Sequence, residues 1–172
     1  MKHLFLAFLF LSFLLSGKLI SQEVYTADSV ETIPGFENFH RIGNIYISGQ
    51  PDMRQIDWLK EQGVTRVINV RTPGENSKFK KKAFDPEEYF EAQGIEYHVI
   101  PLEVIKATFD DEKMDRSAQI LDSGDKVLIQ CKSGPRARYV LLRYLVSYKD
   151  YPVELAEEIV LKMGSYFPRK ID

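Results

Sequence analysis

Cysteine occurs once in this chain, at position 131, with Gly134 and Arg136 following it in the run Cys131-Lys132-Ser133-Gly134-Pro135-Arg136. A thiolate is a strong nucleophile, and a planar guanidinium can grip two oxygens of a phosphate or sulfate at once. Gly134 and Pro135 between them mark a turn. Residues of these types, this close together, are suited to holding an oxyanion against a sulfur.

Such chemistry needs elements to aim it. Val127-Leu128-Ile129 is a short apolar run that predicts a buried strand leading into Cys131. Beyond Arg136, the apolar positions Tyr139, Val140, Leu141, Leu142 and Leu145 predict a buried helix. Strand, loop and helix start is the geometry in which backbone N–H groups converge on an anion and the helix dipole favours negative charge. The same field would favour a thiolate.

The rest of the chain supplies a sheet around that unit. Residues 23–35 are polar, contain Pro34 and Gly35, and read as a leader. Phe36 to His40 and Asn44 to Ser48 read as short strands. Asp52 is a good N-cap for a helix that carries Met53, Ile56 and Leu59 on one face and ends at Gly63. Val64 to Val70 is β-branched and predicts a central strand. Arg71 to Gly74 reads as a turn. Glu75 to Lys82, with Lys78, Lys80, Lys81 and Lys82, reads either as a basic rim that draws anions in or as a solvated loop. Asp85-Pro86 starts a helix that Gly94 ends. Ile95 to Ile100 is the next strand, Leu102 to Phe109 a loop, and Asp110 to Leu121 a helix. A last helix runs from Pro152 to Gly164, with Ala156, Ile159 and Val160 on one face. This order implies an α/β fold: a central, mostly parallel sheet of four to five strands flanked by helices, with its site at the strands' carboxyl ends.

Residues 1–22 stand apart. Lys2 precedes an apolar run from Leu4 to Leu15 that is broken only by Ser12, which fits a secretory signal and is short for a bilayer span. The chain is therefore expected to be exported, to the periplasm or beyond, with no stable membrane span after cleavage. The expected domain spans residues 36–172. Removing residues 1–22 leaves 21 basic against 25 acidic residues, net −4, which gives no support for nucleic-acid binding. His40, His98 and Cys131 show no metal-ligand spacing, so no metal site is expected. A lone cysteine in an exported chain is either an inert buried hydrophobe or a free reactive thiol.

Three segments together resemble a family. Tyr46-Ile47-Ser48-Gly49-Gln50-Pro51, Val67-Ile68-Asn69-Val70-Arg71-Thr72-Pro73-Gly74-Glu75, and the cysteine run from Cys131 to Arg136 occur in that order. They resemble the bacterial dual-specificity-phosphatase-like domain of the cysteine-dependent phosphatase superfamily, a type also found fused to beta-lactamase-like hydrolases. The resemblance implies that Cys131 attacks phosphorus to give a phosphocysteine that is later hydrolysed. It implies that Arg136 and the loop around Lys132, Ser133, Gly134 and Ala137 hold the phosphate. No cofactor is required, and the partner is a phosphorylated small molecule or protein.

Several positions depart from the wider phosphatase pattern. Gln130 stands where a histidine usually precedes the cysteine. Arginine usually lies six residues after the cysteine, a place held here by Ala137, and Pro135 has no N–H to offer. The general acid of the family is an aspartate on a loop before the cysteine; here Glu103 is the best-placed carboxyl. The compact loop also matches rhodanese-type sulfurtransferases, in which the cysteine carries a persulfide. A pseudophosphatase that only binds an anion is the third reading.

Overall fold

Alternating side chains along the central strands place apolar residues on both faces of one sheet. The computed structural model describes residues 24–103 and 111–167. The expected export segment, residues 1–22, and most of the loop from Leu102 to Phe109 lie outside them. Six strands, β1 (Glu31–Thr32), β2 (His40–Ile42), β3 (Ile45–Ser48), β4 (Val64–Asn69), β5 (Glu96–Val99) and β6 (Lys126–Gln130), form a sheet in the order β1-β2-β3-β6-β4-β5. The pairs β3–β6, β6–β4 and β4–β5 are parallel, while β1–β2 and β2–β3 are antiparallel. The α/β expectation holds, and the extra strand is β1, inside the stretch that reads as a leader.

One face of the sheet offers Tyr46, Val67 and Leu128 to Ile56 and Leu59 of α1 (Met53–Glu61) and Phe90 of α3 (Pro86–Ala92). The other offers Ile45, Ile47, Ile68, Val127 and Ile129 to α4 (Asp111–Leu121), α5 (Pro135–Tyr148) and α6 (Val153–Met163). Cys131 belongs to this second core. Two-sided burial of this kind clamps β6, a middle strand, and with it the loop that β6 feeds.

Two expectations are corrected. The strand read at Phe36 to His40 begins only at His40, because Gly43 (φ 53°) closes a two-residue hairpin that pairs Ile42 with Ile45. Phe36 and Phe39 instead pack edge-on against Trp58. The turn and loop read from Arg71 to Lys82 are mostly the helix α2 (Pro73–Lys80). The Thr72 hydroxyl accepts from the Glu75 N–H at 3.3 Å, Glu75 Oε2 accepts from the Thr72 N–H at 2.9 Å, and Pro73 sits at the first helical position. Only one large apolar side chain, Phe79, lies within α2, so no hydrophobic period reveals it.

The register brings the carboxyl ends of the inner strands together. Ser48 and Asn69 both pair with Gln130, and Asn69 pairs with Val99. Gly49, Val70, Ile100 and Cys131 therefore leave the sheet along one edge.

Candidate active site

Cys131 is 1% exposed and sits where β6 ends. The Gly134 N–H donates to its Sγ at 3.0 Å, which curls the loop around the sulfur. Gly134 can do this because it adopts φ 108°, a conformation that side-chain-bearing residues rarely enter. On the outer side of the loop, the Gln50 N–H donates to the Lys132 carbonyl at 3.2 Å. Gly49 lies so close to that carbonyl that a Cβ there would stand 3.1 Å from it. Lys132 and Ser133 are exposed, and Ala137 is fully buried in the core under α5.

Arg136 is buried beside the loop, 6% exposed. Its Nη2 donates to Glu75 Oε1 at 2.7 Å, and its Nη1 donates to Glu75 Oε2 at 2.8 Å and to the Leu102 carbonyl at 3.2 Å. With a longer bond from Nη1 to the Val70 carbonyl at 3.4 Å, these engage the Nη1 group and one hydrogen of Nη2, and the guanidinium also bonds the Cys131 side chain. Burial works against the Arg136 charge, but the Glu75 hydrogen bonds and the nearby Cys131 outweigh it and raise its pKa. Burial likewise opposes the Glu75 charge, yet its bonds from Arg136 and Thr72 hold its pKa down at about 2. Glu75 is therefore a fixed anion at neutral pH and no proton donor.

The second arginine, Arg138, packs against Gly134 but spends its hydrogen bonds elsewhere. Its Nε donates to the Ser165 carbonyl at 2.7 Å and its Nη1 to the Met163 carbonyl at 2.9 Å, tying the first turn of α5 to the end of α6.

No protein-family model matches the chain, and no curated protein matches it significantly. Solved structures do. TpbA of P. aeruginosa, solved in complex with phosphotyrosine, superimposes with a TM-score of 0.63 over 79% of this chain and 80% of its own, at 15% identity. PTPMT1 gives 0.63 over 76% of this chain and 87% of its own, at 18% identity. A Shewanella putrefaciens protein of the DUF442 group gives 0.55 over 75% of this chain and 90% of its own, at 19% identity. The chain has the cysteine-dependent phosphatase fold.

Within this phosphatase fold, the structure brings Cys131, Gly134 and Arg136 together with residues that the sequence alone did not assign to the site. Glu75 is the first of them. Its signal was present as the capping pattern Thr72-Pro73-Gly74-Glu75, which announces a helix start but says nothing of a guanidinium arriving from α5. Arg71, 4% exposed, sends Nη1 to Gln50 Oε1 and Nη2 to the Glu75 carbonyl at 2.8 Å. Beneath the loop, Gln130 Nε2 donates to the Tyr97 hydroxyl at 3.2 Å, and Asn69 Nδ2 donates to the same oxygen at 2.7 Å. The histidine usual before the cysteine is thus replaced by an amide in a buried polar network. Glu103, the expected acid, is exposed directly after Leu102, whose carbonyl holds Arg136. The lysines Lys78, Lys80, Lys81 and Lys82 are exposed on or just past α2, and Lys80 is paired with Asp85. Among the described residues, no group of three or more His, Cys, Asp or Glu side chains could hold a metal ion.

Proposed function

We propose that the chain is a phosphatase that hydrolyses phosphate monoesters through a phosphocysteine on Cys131. One observation carries this reading: the buried Arg136 guanidinium lies beside a buried sulfur, with Glu75 holding its two Nη nitrogens end on. Charge builds on the non-bridging oxygens as phosphorus is attacked, and donors fixed in place beforehand lower that barrier.

In the first step the Cys131 thiolate forms an S–P bond while the bond from phosphorus to the leaving oxygen breaks. Glu103, at the exit from β5, is the carboxyl we assign to protonate that oxygen. In the second step water attacks phosphorus and passes a proton to the Glu103 carboxylate, the S–P bond breaks, and inorganic phosphate leaves with the thiolate and the acid restored. Loop amides at Lys132 and Ser133 and the Arg136 guanidinium hold the oxygens, while the Gly134 N–H supports the sulfur. The phosphotyrosine seen with TpbA makes an aryl phosphate a fitting first probe. Residues 1–22 favour action outside the cytoplasm, and substrates would then be phosphorylated small molecules or proteins met there.

The test is release of phosphate from an aryl phosphate by the full chain and by Cys131→Ser. Turnover that vanishes in the serine variant supports the reading; full turnover in that variant removes it. Cys131-dependent transfer of sulfur from thiosulfate to cyanide, without phosphate release, would replace it with the sulfurtransferase reading.

A further inference from the structure

Arg71 closes a ring of bonds around the cysteine loop. Its Nη1 donates to Gln50 Oε1, and the Gln50 N–H donates to the Lys132 carbonyl at 3.2 Å. From Lys132 the chain itself runs to Arg136, whose guanidinium holds the Glu75 carboxylate at 2.7 and 2.8 Å. The Glu75 carbonyl then accepts from Arg71 Nη2 at 2.8 Å and completes the circuit. Three segments that leave different strands, β3, β4 and β6, are thereby joined through one side chain.

We infer that Arg71 is a positioning residue for the proposed phosphatase reaction: its fork sets the spacing between the cysteine loop and Glu75, and so the angle at which Arg136 meets the oxyanion. The inference rests on the phosphatase reading for its kinetics but not for its anion binding. Three features support it. The fork is buried at 4% exposure, where losing either Nη bond would leave a charged group short of partners. Its Cζ lies 5.0 Å from the Phe79 ring centroid, so α2 fixes the plane of the fork. Its Nε is buried and has no partner among the described residues, so the two Nη groups alone carry the tie.

Lysine cannot copy this arrangement. An ammonium is a single point on a flexible stem and cannot keep two diverging bonds to Gln50 and Glu75 in one plane. Small misplacement of a group that aligns substrate is known to cost up to about 100-fold in rate. The test uses the full-length protein with Arg71→Lys, Gln50→Ala and the double variant. Three quantities are read: kcat and KM on an aryl phosphate, the Kd for tungstate by calorimetry, and the thermal midpoint.

Arg71→Lys is expected to lower kcat by about 10- to 100-fold, to weaken tungstate binding, and to leave KM less changed. Gln50→Ala should shift the same quantities in the same direction by less. The double variant should be no worse than Arg71→Lys, because both changes open one ring. Full kcat and unchanged tungstate affinity in Arg71→Lys would overturn the inference. So would losses that simply add, or losses that follow the thermal midpoint alone. If Arg71→Lys does not fold, Gln50→Ala decides by the same two readouts. If the unaltered protein shows no Cys131-dependent turnover, the phosphatase reading fails, and the tungstate series still decides for or against Arg71.

Discussion

The Glu75 carboxylate meets the Arg136 guanidinium end on, one oxygen to each Nη nitrogen, at 2.7 and 2.8 Å. A two-point contact of this kind fixes a plane as well as a distance. The pair lies with Arg136 almost wholly buried and Glu75 partly open to solvent. Truncating Glu75 would strand a buried cation. Glu75→Ala is therefore expected to lower the unfolding free energy by about 2–4 kcal/mol and to reduce turnover, both read from urea unfolding and aryl phosphate kinetics. Unchanged stability would mean that the ion pair does not persist in solution.

The same pair makes stability depend on pH in a known direction. The Glu75 carboxyl has its pKa lowered from 4.5 to about 2, with bonds from Arg136 and Thr72 overcoming the effect of burial. A depressed folded-state value means that the unfolded chain binds the proton first. The contribution is present in full above about pH 4.5 and is lost as pH falls toward 2. Urea midpoints of the unaltered protein should decline across that window more steeply than those of Glu75→Gln. Parallel curves would count against the assignment.

Arg136 and Arg138 are separated by one residue and do different work. Arg136 faces Cys131 and Glu75, whereas Arg138 donates to the Ser165 and Met163 carbonyls at 2.7 and 2.9 Å. Arg136→Met should abolish turnover. Arg138→Met should chiefly destabilise the fold, by about 1–3 kcal/mol for the carbonyls left unpaired, with kcat of the folded fraction much less affected. Equal losses of kcat would show that the wrong arginine has been placed in the site.

Much of this was legible in the chain. Cys131, Gly134 and Arg136 are neighbours in sequence, so the strand, loop and helix around them could be read from one stretch. Strand β4 and helix α6 announce themselves by β-branched and 3.6-residue patterns. Glu75, Arg71 and Gln50 are another matter. Glu75 meets Arg136 from 61 positions away, and Arg71 meets Gln50 from 21. Those contacts depend on β6 inserting between β3 and β4, an order no local pattern encodes. Helix α2 was hidden for a related reason: its capping box is visible, but its lysines and near absence of apolar residues look like solvated loop.

Tyr97 joins two amides that leave different strands. Its hydroxyl accepts from Asn69 Nδ2 at 2.7 Å and Gln130 Nε2 at 3.2 Å, and burial pushes its pKa up, so it stays neutral. Tyr97→Phe keeps the ring against Phe90 but leaves both amides without that acceptor. A stability loss of about 1–3 kcal/mol is expected, chiefly from Gln130 because Asn69 Nδ2 keeps Asn76 Oδ1 at 3.1 Å, and is measured by urea unfolding. Full stability in Tyr97→Phe would show that water reaches the two amides in its place.

Gly134 gives the sharpest separation of site from scaffold. It holds φ 108°, and a Cβ there would stand 3.0 Å from Arg138 Nη2. Gly134→Ala must therefore strain the backbone, by about 1–3 kcal/mol, or withdraw the N–H that donates to Cys131 Sγ at 3.0 Å. Gly124 is the matched control: it has φ 83° in the turn before β6, with nothing within 4 Å of its Cβ position. Both alanine variants should lose stability, because both force an L-residue into left-handed backbone. Only Gly134→Ala should also lose turnover and weaken tungstate binding. Equal loss of turnover in Gly124→Ala would mean that activity follows global stability, and that the curl of the loop around the sulfur does not govern it.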